Sequence, residues 1–183
     1  AQLVRANRAL YDYTTLFGTP CISGKDSMKN DYMHNEIKIS VPQTVLVSCI
    51  SVIDDVEKVV TMDMKEEGDL IIVIGKTYGE LGGSEYFARF GRIGNIAPRV
   101  RGPQAKKTFQ CLEKAIKAGL IRSCHDISDG GLACCLAESA FAGDTGIDVD
   151  LTAVPCSGVS RDDMLLFSES ASRFVVTIHE KDL

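Results

Sequence analysis

The 183-residue chain has no tryptophan, no block of like charge and no apolar run long enough to span a membrane. A spanning helix needs roughly 20 apolar residues, and the N-terminus also lacks the layout of a signal peptide. The net charge of −5 is spread along the chain, so no basic surface for nucleic acid is predicted. With 45% hydrophobic and 25% charged residues, the sequence is typical of a cytoplasmic globular protein that binds neither membrane nor nucleic acid.

The seven cysteines lack the spacing of a metal site or a disulfide framework. No two of them form a C-x-x-C pair, and their number is odd. Most have apolar neighbours in the sequence. We therefore expect reduced cysteines that fill positions in the core, rather than zinc ligands.

The chain does contain an alternation of helical and extended patterns. Apolar spacings of three and four predict helices at 1–17, 102–119 and 132–143, and another helix is expected after the Gly82-Gly83 pair. Residues 164–167 are predicted to form a short helix or a turn. Extended patterns predict strands at 21–23, 37–41, 45–53, 70–74, 147–151 and 174–178. The dense run 45–53 is typical of a strand covered on both faces. Together they predict an α/β or α+β layered domain, with helices packed on a mixed sheet.

The segment His125 to Ala133 is the strongest chemical signal. It follows the apolar pair Leu120 and Ile121 and precedes a predicted helix, so we expect a junction between a strand and a helix here. Asp126, Ser128 and Asp129 lie at this junction, beside two glycines. Carboxylates, free backbone N–H groups and glycines that allow close approach suit a Mg²⁺ ion that carries phosphate oxygens. A helix cap is the alternative explanation, but a cap needs only one of these residues.

Three other segments carry polar groups at similar positions. Residues 20–30 contain Gly-Lys-Asp-Ser, which lacks the frame of a P-loop and alone could be a charged turn. Residues 80–86 place paired glycines before a helix, where they could seat an anion or pack the helix. Residues 167–174 place serines and an arginine before a buried strand, which could hold phosphate or form a capped turn.

Taken in order, these four segments resemble the second half of phosphoribosylformylglycinamidine synthase, a family of the aminoimidazole ribonucleotide synthetase-like superfamily. Residues 20–28 are similar to its P-x-x-S-G-K-D-S-M segment. Its G-G-S-E, H-D-x-S-D-G-G-L and F-S-E-S-x-S-R-F segments are similar to residues 82–85, 125–133 and 167–174. The resemblance implies a C-terminal domain of the superfamily over 41–183, incomplete at its end, and the tail of a preceding N-terminal domain over 1–40. An uncapped helix at the first residue likewise leads us to expect a piece of a longer polypeptide.

The activity implied by the resemblance is the amidation of formylglycinamide ribonucleotide in purine biosynthesis. ATP phosphorylates the amide oxygen, and ammonia derived from glutamine displaces the phosphate. The implied cofactors are Mg²⁺ and ATP or ADP, and the implied partners are the other domains of the synthase and a glutaminase domain or subunit. This piece alone would supply a nucleotide-phosphate site without activity. Two alternatives are a non-catalytic scaffold half and another superfamily enzyme of selenophosphate or thiamine phosphate chemistry.

The resemblance also implies roles for individual residues. Asp126 matches a Mg²⁺-binding aspartate, and Ser128 matches a serine that contacts nucleotide. The other implied nucleotide or phosphate contacts are Gly24, Lys25, Ser27, Glu169, Ser170 and Arg173. Shorter family members have an asparagine that ligates Mg²⁺ where this chain has Lys25, so this lysine is expected to neutralise phosphate directly. The family's catalytic histidine lies in the first half, so we expect His125 to have a structural or orienting role, and His34 and His179 to lie at the surface.

Overall fold

A computed structural model describes residues 2–25, 27 and 30–183. The chain divides into two compact units between Asp54 and Asp55. This division falls later in the sequence than the domain boundary that the resemblance places near residue 40. The assignment of 1–40 to a preceding domain stays a prediction. Within the described residues, no helix is long and apolar enough to cross a membrane.

Within its described residues, the first unit contains one helix and one hairpin. Helix α1 spans Gln2–Phe17, as predicted, and strands β1 (Asp31–His34) and β2 (Ile37–Ser40) pair antiparallel. The strands predicted at 21–23 and 45–53 are wrong, because both segments are irregular and exposed. The second segment has the apolar density of a buried strand. A strand also needs a partner for its backbone N–H and C=O groups, and no described segment pairs with this one.

The second unit is built around a three-stranded antiparallel sheet in the order β3–β7–β5. The strands of this unit are β3 (Leu70–Ile74), β4 (Thr77–Tyr78), β5 (Ser123–Asp126), β6 (Cys156–Ser157) and β7 (Phe174–Ile178). Its helices are α2 (Glu85–Arg89), α3 (Gly102–Lys117), α4 (Gly131–Gly143) and α5 (Asp162–Phe167). Strands β4 and β6 form a separate short parallel pair. The predicted layered α/β class is confirmed, with helices packed on small sheets.

Helix α4 supplies much of the core of this unit. Leu132, Leu136 and Ala140 recur every four residues and therefore share one face of the helix. That face packs in one cluster with Val175 of β7 and Leu165 of α5. Leu132 has no exposed surface, and burial of a leucine side chain stabilises a fold by about 2 kcal/mol.

The strand predicted at 147–151 is also wrong. The Asp150 carboxylate accepts a hydrogen bond of 2.8 Å from the Thr152 N–H and caps a short 3₁₀ helix, Leu151–Ala153. Such local side-chain to backbone bonds divert the chain from a sheet ladder. Val149 and Leu151 nevertheless pack against the core, which explains why the segment alternates as a strand would.

The cysteines follow the prediction only in part. Cys135 is buried in the core, and burial raises the pKa of its thiol to about 12, so the thiol stays protonated. Cys124 and Cys134 are partly buried. The remaining four are exposed, and the core-filling prediction is wrong for them: Cys21, Cys49, Cys111 and Cys156.

A group of ionisable side chains lies at one end of the sheet. We call this group, which consists of Glu66, Asp69, Arg122 and His179, the Arg122 clasp. Asp69 precedes β3, Arg122 precedes β5 and His179 follows β7, so the three residues meet where these strand ends adjoin. Arg122 Nε donates to Asp69 Oδ2 at 2.7 Å, Nη2 lies 3.2 Å from Glu66 Oε2, and Nη1 contacts His179 Nε2. His179 is therefore partly buried in a constellation, and its prediction as a plain surface residue is wrong.

Candidate functional site: the Asp126 turn

The opposite end of the sheet carries the Asp-rich segment. Asp126 is the last residue of β5 and pairs with Phe174, the first residue of β7. The next N–H, that of Ile127, donates to the Arg173 carbonyl at 2.9 Å, and the chain then turns into α4. The predicted junction between a strand and a helix is confirmed. We call residues 126–131 the Asp126 turn.

Two glycines allow this turn to pack closely. Gly130 and Gly131 have φ angles of +75° and +69°, which side-chain-bearing residues rarely adopt. A Cβ on Gly131 would lie 2.6 Å from the Leu166 carbonyl oxygen, and one on Gly130 would overlap Cys134 Sγ. The packing of the turn therefore requires glycine at both positions, whether or not a ligand approaches.

The Glu169 carboxylate joins three of the four polar segments. Its Oε1 accepts hydrogen bonds of 2.9 Å from the N–H of Gly130 and 2.9 Å from the N–H of Glu85. These two donors lie at the start of α4 and of α2, where backbone N–H groups lack partners within the helix and favour negative charge. The Glu169 N–H in turn donates to the Glu80 carbonyl at 3.4 Å. Glu169 thus fixes the Asp126 turn against the Gly82-Gly83 segment.

Ser170 and Arg173 lie inside the protein. Ser170 is fully buried, and its hydroxyl accepts from the Tyr78 N–H at 3.0 Å and donates to the Tyr78 carbonyl at 3.3 Å. Arg173 is 1% exposed and donates to Ser170 O and Thr77 Oγ1, each at 2.8 Å, and to Ser168 O. Burial lowers the pKa of its guanidinium to about 10, so the group stays charged at neutral pH. Direct phosphate contact by these two residues stays a prediction, and their positions favour a supporting role.

Asp126 and Ser128 face solvent. The Asp126 side chain is 66% exposed, and its Oδ1 lies 3.4 Å from Nδ1 of His125. The other ring nitrogen of His125, Nε2, lies 2.9 Å from Glu138 Oε2. The imidazole is therefore held between two carboxylates, an arrangement that suits the orienting role expected for it. Glu138 was not singled out from the sequence, because its contact arises from the packing of α4 against β5 and no local spacing reports it.

The turn offers the donor chemistry that Mg²⁺ prefers. Asp126, Ser128 and Asp129 present exposed carboxylate and hydroxyl oxygens, and Mg²⁺ in phosphate sites commonly takes one or two carboxylates, with waters and phosphate oxygens as the other ligands. Among the described residues, the one group of three ligand side chains close enough to share an ion is Glu66, Asp69 and His179. Arg122 already neutralises that group, so the Asp126 turn is the better candidate.

The remaining predicted residues belong to the first unit. Gly24, Lys25 and Ser27 are exposed, and Lys25 Nζ donates to Ser27 Oγ at 3.1 Å. Asp26, Met28 and Lys29 of the same segment lie outside the described residues. A paired lysine and serine suit joint recognition of an oxyanion, and the phosphate role of these residues stays a prediction.

A small antiparallel sheet with a polar turn at the start of a packed helix defines a layered α/β domain. The family model of AIR synthase related protein, C-terminal domain, matches residues 66–183. The chain belongs to this family.

Similar proteins agree with this assignment. Phosphoribosylformylglycinamidine synthase subunit PurL of Thermococcus sibiricus is 40% identical over 176 residues, which are 96% of this chain and 24% of that protein. The subunit of the same name from Caldanaerobacter subterraneus subsp. tengcongensis is 40% identical over 163 residues, 88% of this chain and 21% of that protein. The chain thus spans about a quarter or less of the length of these relatives.

Solved structures show the same fold. T. maritima PurL complexed with FGAR superposes with a TM-score of 0.60 at 20% identity, over 69% of this chain and 22% of that one. T. maritima PurL complexed with ADP has a TM-score of 0.56 at 22% identity, over 69% of this chain and 19% of that one. The predicted resemblance and fold are confirmed.

Proposed function

We propose that this chain is part of a phosphoribosylformylglycinamidine synthase, a cytoplasmic ATP-dependent carbon–nitrogen ligase. The reaction is the amidation of formylglycinamide ribonucleotide with ammonia derived from glutamine. The observation that carries the proposal is the convergence of three polar segments on the Glu169 carboxylate, which leaves Asp126 and Ser128 exposed at the end of the sheet. The names of the relatives and their 40% identity support it.

In this proposal the chain supplies a nucleotide-phosphate site and does not turn over alone. Bound Mg²⁺ would neutralise negative charge on phosphate oxygens. Asp126 would hold the ion through a carboxylate oxygen, and Ser128 would donate its hydroxyl to a phosphate oxygen. His125 is a positioning residue, because its contacts with Asp126 and Glu138 restrict the direction in which the Asp126 carboxylate points.

Lys25, in the first unit, would neutralise negative charge on a phosphate group, with Gly24 and Ser27 as neighbouring contacts. The other domains of the synthase, with a glutaminase domain or subunit as the source of ammonia, complete the proposed enzyme. A T. maritima assembly named PurLQS is among the solved structures of similar fold. Its name is consistent with a short, multi-subunit parent, and this chain also fits a parent enzyme that is one long chain.

The proposal is tested in the longer protein that carries this chain. With ammonium chloride as the nitrogen source, we expect ADP and the amidine to form in equal amounts, and only when formylglycinamide ribonucleotide is present. The Ser128→Ala variant should weaken Mg-ADP binding by about tenfold, the effect of one lost hydrogen bond to a charged group. Ser157→Ala, which changes an exposed serine of β6, should leave binding unchanged.

Two results would contradict the proposal. One is the absence of substrate-dependent ADP formation. The other is a thermal midpoint that does not respond to Mg-ADP, since a ligand that binds only the folded state at 100 times its Kd adds about 2.7 kcal/mol of stability. The second result would favour the non-catalytic scaffold.

A further inference from the structure

A small cavity lies where the loop after β3 meets the start of α3. Its volume is about 20 Å³, and its lining includes Lys76, Tyr78, Arg101, Gln104, Thr108 and Ser172. A space of this size holds about one water molecule. It therefore suits the projecting oxygens of a small ion or a terminal group, and it excludes a nucleobase or a sugar ring.

Arg101 is fixed in place at this cavity. Its Nη2 lies 3.0 Å from Oε1 of Glu80, a carboxylate residue that is only 4% exposed. The guanidinium carbon also lies 3.4 Å from the centre of the Tyr78 ring, a distance at which cation and ring attract each other. Both contacts restrict the side chain, so Arg101 presents a preorganised charge that loses little further freedom when an anion binds.

Lys76 brings a second positive charge to the cavity. Its side chain is exposed, and within the described residues it forms no ion pair. Arg101 is paired with Glu80, which does not line the cavity. No described carboxylate residue lines the cavity itself. Two cations therefore face one paired carboxylate, and the local charge favours an anion.

Neutral donors complete the surroundings. Thr108 and Ser172 contribute hydroxyl groups to the lining. Helix α3 is 16 residues long and begins here at Gly102, and no side chain caps its first turn. Its N-terminal end thus adds a favourable potential for negative charge to the two side-chain cations.

We propose that this cavity binds a phosphate-type oxyanion through Lys76 and Arg101, as a site separate from the Asp126 turn. Both lie at the same end of the sheet, because Ile74 and Asp126 pair with Phe174 from opposite sides. Two strand spacings, roughly 10 Å, separate β3 from β5. The two sites also differ in chemistry, since the cavity neutralises its anion with side-chain cations and requires no metal ion.

The test uses the protein that carries the whole chain, without Mg²⁺, at constant ionic strength set with sodium chloride. Inorganic phosphate and glycerol 3-phosphate are titrated calorimetrically. Lys76→Gln should weaken binding of phosphate by about tenfold, because a charge-assisted hydrogen bond is lost. Lys107→Gln, which changes an exposed lysine of α3 outside the lining, should leave the affinity unchanged.

The two ligands identify the source of the oxyanion. Equal affinities indicate a site for free phosphate, whereas tighter glycerol 3-phosphate binding indicates a phosphate group carried by a larger molecule. Absence of saturable binding of both ligands overturns the proposal, as does equal weakening in the two lysine variants. Mg-ADP affinity should be retained in Lys76→Gln, so failure of this site and failure of the proposed nucleotide site are distinguishable.

Discussion

The two ends of the sheet carry the same residue types in different surroundings. At one end Asp69 lies beside His179, and at the other Asp126 lies beside His125. The Asp69 side chain is 5% exposed and bound to Arg122, whereas that of Asp126 is 66% exposed. In the described part of the chain, no arginine or lysine pairs with Asp126.

This difference distinguishes a carboxylate that stabilises the fold from a carboxylate that is available to bind a ligand. A carboxylate that is buried against a guanidinium has its charge satisfied within the fold, and removing either partner leaves the other desolvated and unpaired. An exposed carboxylate without a cation retains its capacity to bind one. The Arg122 clasp is therefore expected to govern stability, and the Asp126 turn is expected to govern ligand binding.

The largest effect on stability is expected at the backbone of the Asp126 turn. Gly131→Ala would place a Cβ 2.6 Å from the Leu166 carbonyl oxygen at a φ of +69°. Left-handed strain and overpacking together should lower the free energy of unfolding by about 3 kcal/mol. Gly146→Ala is the matched control, because its Cβ would meet open space. Equal denaturation midpoints for the two variants would show that the turn is not packed as described.

A smaller loss is expected at Glu169. Glu169→Ala removes the acceptor of two backbone N–H groups at helix starts, which should cost about 2 kcal/mol in urea denaturation. Glu169→Gln keeps an acceptor oxygen and loses only the charge, so it should cost less than about 1 kcal/mol. If the glutamine and alanine variants were equally unstable, charge rather than hydrogen bonding would join the segments.

The smallest effect concerns a third carboxylate, Asp163 of α5, which is paired with arginine as Asp69 is. Hydrogen bonds from Arg161 lower the pKa of Asp163 from 3.8 to about 2, and its Oδ2 also accepts from the Tyr86 hydroxyl at 3.1 Å. A folded pKa below the unfolded one stabilises the protein above pH 3.8, and this stabilisation is lost as the pH falls towards 2. The difference in stability between wild type and Arg161→Gln should shrink over that range, and a constant difference would contradict the pairing.

The sequence predicted the elements whose pattern is local. The four-residue spacing of Leu132, Leu136 and Ala140 located α4, and the glycine pair before it located the turn. Strand predictions failed at 45–53 and 147–151, because apolar alternation reports burial and does not report the presence of a pairing partner.

The site was predictable in its residue types and much less so in its contacts. Asp126 and Ser128 lie at the predicted junction and are exposed. The burial of Ser170 and Arg173 and the pairing of Glu169 with two helix starts depend on segments far apart in the chain. The same holds for the Arg122 clasp, whose members come together only when three strands align.

The most direct test compares Asp126→Asn with Asp69→Asn in the protein that carries the whole chain. For each variant, Mg-ADP affinity is measured by calorimetry and the denaturation midpoint by circular dichroism, at a temperature where both are folded. We expect Asp126→Asn to weaken Mg-ADP binding by at least about tenfold while stability changes by less than about 0.5 kcal/mol. Asp69→Asn should lower the midpoint and leave the affinity unchanged. Unchanged affinity in Asp126→Asn, or an equal loss in both variants, would contradict the assignment of the two ends.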